Sequence, residues 1–308
     1  MGNLYQEQGK NIFRTWLLMA LFLGVVLAFG YLLSHVLGSI WIFVGALILS
    51  IVMNVGSYWF SDRMVLSLHQ ARPIDTNNVQ EDEIYNLVEN ISIASGLPMP
   101  DVYIMEDQAM NAFATGRNPE HGVVVVTRGL MNALNKTEME GVLAHEMSHI
   151  GNRDTLIQSV VVVLVGLVVL AAEWFLHIGL FGGFGRDSEE GGGMLQIGMI
   201  IGAVVLALLA PLIAQLMQAA ISRKRELLAD SSGALITRYP KGLADALRKI
   251  SQQGESGTSV QTASKATAHM FLMNPLNMNA DKFAELFASH PPVEKRIEAL
   301  TGMNIDQN

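Results

Sequence analysis

The sequence predicts a mostly α protein with a small β-sheet, built as a four-helix membrane anchor and an α+β body divided between the two pairs of anchor helices. Four apolar segments each have about the 20 residues that a spanning helix needs. Two soluble stretches, one after the second of these segments and one after the fourth, mix helical and strand patterning. Half of the 308 residues are apolar and the mean hydropathy is positive, which is high for a water-soluble domain.

The first span, "WLLMALFLGVVLAFGYLL" from Trp16, and the second, "IWIFVGALILSIVMNVGSYWF" from Ile40, are joined by a short uncharged link and form a hairpin over residues 1–60. The polar start "MGNLYQEQGKNIFR" and the long apolar run after it differ from a cleaved signal peptide, so the first span is read as a retained anchor. A second hairpin occupies 155–221. It comprises "LIQSVVVVLVGLVVLAAEWFLHIGLF" from Leu156 and "LQIGMIIGAVVLALLAPLIAQLMQAAI" from Leu195, linked by "GGFGRDSEEGGG". Glu173 and His177 leave a buried amphipathic hairpin as the alternative for the third segment, because unpaired charge in lipid is costly; the uncharged run before Glu173 favours crossing. Lys10 and Arg14 precede the first span, Arg63 and Arg72 follow the second, and Arg223, Lys224 and Arg225 follow the fourth. The two connecting loops hold only Arg186. Positive charge then places both termini, and both parts of the body (61–154 and 222–308), on the cytoplasmic side.

Within the body, "DEIYNLVENISIASGL" has helical periodicity and stops at Gly96 before Pro98. "DVYIMED" reads as a short strand, "GVVVVT" as a buried or edge-adjacent strand, and "RGLMNALN" as a short helix. "TEME" offers Thr137 and Glu140 as a capping box that opens the next helix. That helix carries "GVLAHEMSHIGNRD".

Without cysteine the chain has no disulfide and no thiolate ligand, so a metal would be held by His, Asp or Glu. A net charge of −8 and the lack of a basic stripe argue against nucleic acid as the main partner. On a helix, His145 and His149 share one face and can converge on a single ion, while Glu146 is turned about 100° around the cylinder. In H-E-x-x-H sites zinc takes three protein ligands and activates a water whose proton the glutamate accepts, which is the role expected of Glu146. No further histidine follows His149 within about ten residues, as a metzincin would require. The third ligand is sought instead in "ISRKRELLADSS", where Glu226 and Asp230 share a helical face. Glu226 would complete the site and Asp230 would accept an N–H from a ligand histidine. The plainer reading of that stretch is a charged helix start at the membrane interface. "NAFATG" lies between two strand candidates and is either an ordinary glycine-ended loop or an open sheet edge, at Asn111, Ala112 and Phe113, that pairs with an extended peptide. His35, His69, His121, His177 and His269 have no partner at ligand spacing and are read as surface or interface residues. The few residues between His149 and the third span, and between the fourth span and Glu226, make the two ligand helices candidates for direct continuation of membrane helices.

In this order, "NAFATG", "HEMSH", "SRKRELLAD" and "SHPPVEKRIEAL" around two apolar pairs resemble the HtpX-type membrane zinc metallopeptidases and, more distantly, the integral-membrane CaaX prenyl proteases. The resemblance covers nearly the whole chain, with Leu227 where such enzymes often carry an aromatic. It implies a zincin-like α+β catalytic domain. One Zn2+ would be held by His145, His149 and Glu226, with Glu146 as catalytic base, and His290 or Arg296 would stabilise an oxyanion. It also implies polypeptide substrates, mainly damaged or misfolded membrane proteins, and a place in the bacterial cytoplasmic membrane. Rival readings are a metal transporter, whose ligands belong in mid-span whereas these flank the spans, and a catalytically silent membrane scaffold.

Overall fold

The computed structural model describes residues 2–36, 38–166, 222–255, 260–263, 267–272 and 291–303. In chain order its elements are α1 (Gly2–Val36), α2 (Ile40–Leu68), β1 (Arg72–Pro73), α3 (Val79–Ser95), β2 (Asp101–Met105), β3 (Ala112–Thr115), β4 (Val123–Thr127), α4 (Arg128–Ala133), α5 (Lys136–Gly151), α6 (Asp154–Gly166), α7 (Arg223–Thr237), α8 (Pro240–Glu255) and α9 (Val293–Thr301).

Gln8–His35 and Ile40–Leu68 are long and apolar enough to cross a membrane. Their side chains are arranged inside out relative to a water-soluble helix pair. Leu17, Leu21, Leu32, Ile48 and Val52 are exposed, whereas Ser50, Asn54, Ser57 and Ser61 are buried. These four recur at intervals of four, three and four residues, which puts them on one helical face. Most of the third expected span and all of the fourth, with Glu173 and His177, lie outside the described residues. The start of the third is α6, whose Leu156, Val160 and Leu164 pack on Met19 and Phe22 of α1.

The sheet has the order β1-β2-β4-β3, with β2 and β4 parallel and the two outer pairs antiparallel. All five residues of β4 are buried, as suits a strand covered on both faces. Alternation along it divides the core. Val124 and Val126 join a cluster with Leu87 and Val88 of α3, Leu143 and Met147 of α5 and Leu247 of α8. Val123 and Val125 face Val65 of α2, Val162 of α6 and Phe271. Leu143, Met147 and Leu247 are each 0 % exposed, and full burial of such a side chain contributes roughly 1.5–3 kcal/mol.

Local signals place most boundaries. Asn78 caps α3 by accepting from the backbone of Gln80 and Glu81, and Gly96 ends it in the left-handed region at φ 71. Two expectations are corrected and one open alternative is decided. The capping box of α5 is formed by Asn135 and Glu138, not by Thr137 and Glu140. Asn is the stronger N-cap, and the Thr137 hydroxyl donates to Asn135 Oδ1 instead. Of the two readings of "NAFATG" the sheet-edge strand holds: the segment contains β3, which ends where Gly116 turns at φ 127 and a Cβ would collide with the His121 carbonyl. The ligand helices are not continuous with membrane helices. α5 ends at Gly151, Arg153 turns at φ 57, and a new helix starts at Asp154; Ser222 is extended, so α7 begins afresh at Arg223. The first break brings the Asp154 carboxylate back to His149, 2.9 Å away.

Candidate metal centre

His145 and His149 project from one face of α5 with their Nε2 atoms 3.2 Å apart. The Glu226 carboxylate of α7 stands 3.8 Å from His145 Nε2 and 3.5 Å from His149 Nε2. All three residues are buried, and one ligand atom from each lies within 4.8 Å of the others. Gly233 makes this approach possible: a Cβ there would lie 2.9 Å from the His145 backbone nitrogen, so only a hydrogen lets α7 meet α5 backbone to backbone. Glu226 sits two turns earlier on α7, beside the histidines.

Carboxylates stand at the other ring nitrogen of each histidine. His149 Nδ1 is hydrogen-bonded to Asp154 Oδ2 at 2.9 Å. His145 Nδ1 is 3.0 Å from Asp230 Oδ1, though the ring N–H is not aimed along that line. In the neutral forms that carry their hydrogen on Nδ1, the nitrogen beside a carboxylate, both Nε2 atoms would present lone pairs to each other. Two acceptors cannot bond together, whereas a cation placed among them and Glu226 satisfies both. Two Zn–N bonds of about 2.0–2.1 Å at a tetrahedral angle put the nitrogens roughly 3.3–3.4 Å apart, close to the observed spacing. The donor set of two imidazoles and one carboxylate fits zinc or a similar divalent ion.

The electrostatics agree with a cation site. Burial pulls the His145 imidazolium down to about 4 against the pull of Asp230. Burial acts on His149 in the same direction, but Glu226, Asp154 and Glu146 outweigh it and lift the group to about 9. One ring therefore keeps a proton where an ion would supply positive charge. Burial and the charge of Glu226 raise the Glu146 carboxyl to about 7, opposed by His149, Arg296 and the Ala114 backbone N–H that donates to it. Burial would raise Asp230 as well, yet Arg296 prevails and holds it near 2.

The sequence-derived residues are placed as follows. His145, Glu146, His149, Glu226, Asp230 and Arg296 come together. Arg296 is 0 % exposed and grips Asp230 through Nε at 2.8 Å and Nη2 at 2.7 Å, while Nη1 donates to the Leu272 carbonyl at 3.1 Å. All three of its nitrogens are thus engaged behind the histidines. His290 lies outside the described residues. Asn111, Ala112 and Phe113 are buried, and in the described sheet β3 is an edge strand. Phe113 lies opposite Val125 and its ring packs on His69 and Phe271, while the Ala114 N–H points away from β4 to Glu146. The Ala112 carbonyl accepts from Leu272 at 2.9 Å. Two of the histidines read as surface or interface residues are buried: His269, and His69, whose apolar ring faces fit between aromatic side chains while Nδ1 meets Thr262 Oγ1 at 3.0 Å.

Sequence reasoning missed Asp154, Arg225 and Asn11. Asp154, five residues beyond His149 at the end of the motif, carried a usable signal as an acid placed to fold back on the helix. Asn11 carried none. It is buried and donates to Asp154 Oδ1 at 2.7 Å across 143 positions of sequence.

Residues 78–304 match the model of peptidase family M48. A protease HtpX homolog of Thermococcus sibiricus is 44% identical over 290 residues, covering 93% of this chain and 94% of that protein. The HtpX homolog of Syntrophobacter fumaroxidans is 44% identical over 294 residues, covering 94% and 99%. That of Caldanaerobacter subterraneus is 39% identical over 305 residues, covering 98% of each. A crystal structure of Ste24p from S. mikatae superposes with a TM-score of 0.49 at 18% identity, covering 97% of this chain and 67% of that one. Relatives occur in archaea as well as bacteria, so the likeness by itself does not assign a bacterial membrane. The chain belongs to peptidase family M48, as a metalloprotease of the HtpX type.

Proposed function

We propose that the protein is a membrane-bound zinc endopeptidase that cleaves cytoplasmic loops of misfolded or damaged membrane proteins, and unfolded chains, from the cytoplasmic face of a bacterial inner membrane. The observation that carries this is the convergence of His145, His149 and Glu226 within 4.8 Å, with Glu146 one residue along the same helix. One Zn2+ held by these three residues would supply Lewis-acid activation of water and of the scissile carbonyl. Glu146, buried beside the ligands, accepts the proton of the attacking water and passes it to the leaving amine. A substrate peptide lies extended along β3, pairing by backbone hydrogen bonds with Ala114, since the Ala112 carbonyl and N–H are already held by Leu272 and the Asn111 side chain. Such pairing tolerates varied side chains and frees Glu146 from the Ala114 N–H. Arg296 acts through Asp230 on His145, a positioning role that its three bonds favour over direct contact with an oxyanion; His290 remains a candidate for that contact.

The start of α1 touches the C-terminal end of α5, with Gln8 donating to the Gly151 carbonyl at 2.6 Å. That contact, with the distribution of Lys and Arg, supports one cytoplasmic side for the N-terminus, the catalytic centre and α9. Zinc stoichiometry and casein cleavage test the reading in the unaltered protein, Glu226→Ala and Glu146→Gln. One zinc per chain, lost in Glu226→Ala and kept in Glu146→Gln with cleavage abolished in both, is the expected result. Zinc retained by Glu226→Ala would remove Glu226 from the ligand set.

A further inference from the structure

The cytoplasmic end of the first membrane helix reaches the metal centre. Asn11 is 0 % exposed, and its Nδ2 donates to Asp154 Oδ1 at 2.7 Å and to the Asn152 carbonyl at 3.1 Å. Both groups facing Nδ2 are acceptors, so the amide fits only this way round; turned over, its oxygen would meet a carboxylate and a carbonyl. The other oxygen of Asp154 is the one bonded to His149 Nδ1. Arg225 Nε also stands 3.2 Å from Asp154 Oδ1. One turn before Asn11, Gln8 holds the Gly151 carbonyl, and one turn after it the Thr15 hydroxyl donates back to the Asn11 carbonyl at 2.8 Å. A buried asparagine of a membrane helix thus lies in line with Asp154 and His149.

We propose that Asn11 is a positioning residue of the metal centre: by holding Oδ1 of Asp154 it leaves Oδ2 directed at His149, so that metal affinity depends on α1 being docked against α5. The inference rests on the reading of His145, His149 and Glu226 as ligands. A carboxylate held at one oxygen cannot swing about its Cβ–Cγ bond, and the imidazole it faces is fixed in rotation and tautomer. Loss of an outer partner of a ligand histidine lowers metal affinity by about 10–100-fold. Asn11 lies one bond further out and shares Asp154 with Arg225, so the effect belongs at the lower end of that range. A chain whose α1 is not docked loses this contact together with its anchor, and metal loading then follows assembly of the membrane part.

The test uses the full chain in detergent, with zinc affinity measured by competition against a chelator and ligand geometry followed by the visible absorption of the cobalt-substituted protein. Asn11→Asp keeps the shape of the side chain and removes the N–H donor; Asn11→Ala removes the side chain without adding charge and answers the same question where Asn11→Asp does not fold. Gln8→Ala removes the neighbouring α1 contact and leaves Asp154 untouched. The expected result is a zinc dissociation constant raised about tenfold in Asn11→Ala and at least as much in Asn11→Asp, with an altered cobalt spectrum. Gln8→Ala should stay within about twofold of the unaltered protein, and the metal-free proteins should unfold at similar temperatures. Unaltered affinity in Asn11→Asp, or a loss in Gln8→Ala equal to that in Asn11→Ala, would overturn the proposal, the latter because docking in general would then be the cause. Zinc binding that survives His145→Ala would overturn the ligand reading first, and is distinguishable because it does not involve Asn11.

Discussion

Arg296 and Asp230 form a two-pronged ion pair, with bonds of 2.7 and 2.8 Å and both side chains buried. They are 66 positions apart in sequence, and they hold α9 against α7 directly behind His145. The guanidinium is the right shape for this task, since its fork matches a carboxylate in two places while a third nitrogen remains for the Leu272 carbonyl.

Arg296→Lys should therefore behave poorly despite its conserved charge. An ammonium cannot reproduce the paired geometry and leaves Asp230 partly satisfied, whereas removing the partner entirely, as in Arg296→Ala, costs about 3–5 kcal/mol. Thermal unfolding of metal-free protein should show a large loss for Arg296→Ala and a smaller one for Arg296→Lys, and zinc affinity should fall in both. An Arg296→Ala protein with normal stability and zinc content but a reduced kcat would instead place the guanidinium at the oxyanion.

Glu146→Gln removes the proton acceptor and retains the shape of the side chain. Cleavage should fall by about 10²–10⁴-fold or more, while zinc stoichiometry and thermal stability hold. Metal loss in this variant would show that Glu146 contributes to the ligand set.

Gly233→Ala tests the close approach of α7 to α5. The added methyl meets the backbone at Ala144 and His145, which cannot yield as a flexible side chain would, so overpacking should cost about 1–3 kcal/mol. Because the shift separates Glu226 from the histidines, zinc affinity should fall more than the stability change alone predicts. A neutral substitution in both measurements would mean the helices can slide apart without harm.

Acid sensitivity should centre on Glu81, away from the metal. Its buried carboxylate accepts from Arg72 at 2.6 and 3.0 Å, from Arg128 at 2.7 Å and from the Asp75 backbone at 2.8 Å. Bonding to Arg72 foremost, then to Asp75 and Arg128, carries it against the effect of burial from 4.5 to about 2. A depressed folded pKa gives stability that is fully present above about 4.5 and is lost as pH falls toward about 2. Glu81→Gln should cost roughly 2 kcal/mol at neutral pH, less than a wholly buried pair because Arg72 is 40% exposed. It should also flatten the decline in urea midpoint of the metal-free protein below about pH 4.5. An unchanged acid limb would assign it to other carboxylates.

What the sequence determined by itself is what short-range geometry fixes. The spacing of His145 and His149 on a helix, the apolar lengths of α1 and α2, the stop at Gly96 and the buried run of β4 follow from periods of 3.6 and 2.0 residues and from the left-handed freedom of glycine. Glu226 and Asp230 were legible for the same reason, four residues apart on one face. Tertiary structure decided how these pieces meet. It made "NAFATG" an edge strand, because only pairing with β4 reveals which backbone groups face outward. It moved the α5 cap to Asn135 and broke the chain at Arg153, so that Asp154 could return to His149. It also brought Asn11, which has no local pattern, and Arg296, legible as a site residue but not in this position, behind the two ligand histidines. A buried polar side chain is placed by the partner that satisfies it, and here those partners are as far as 143 residues away.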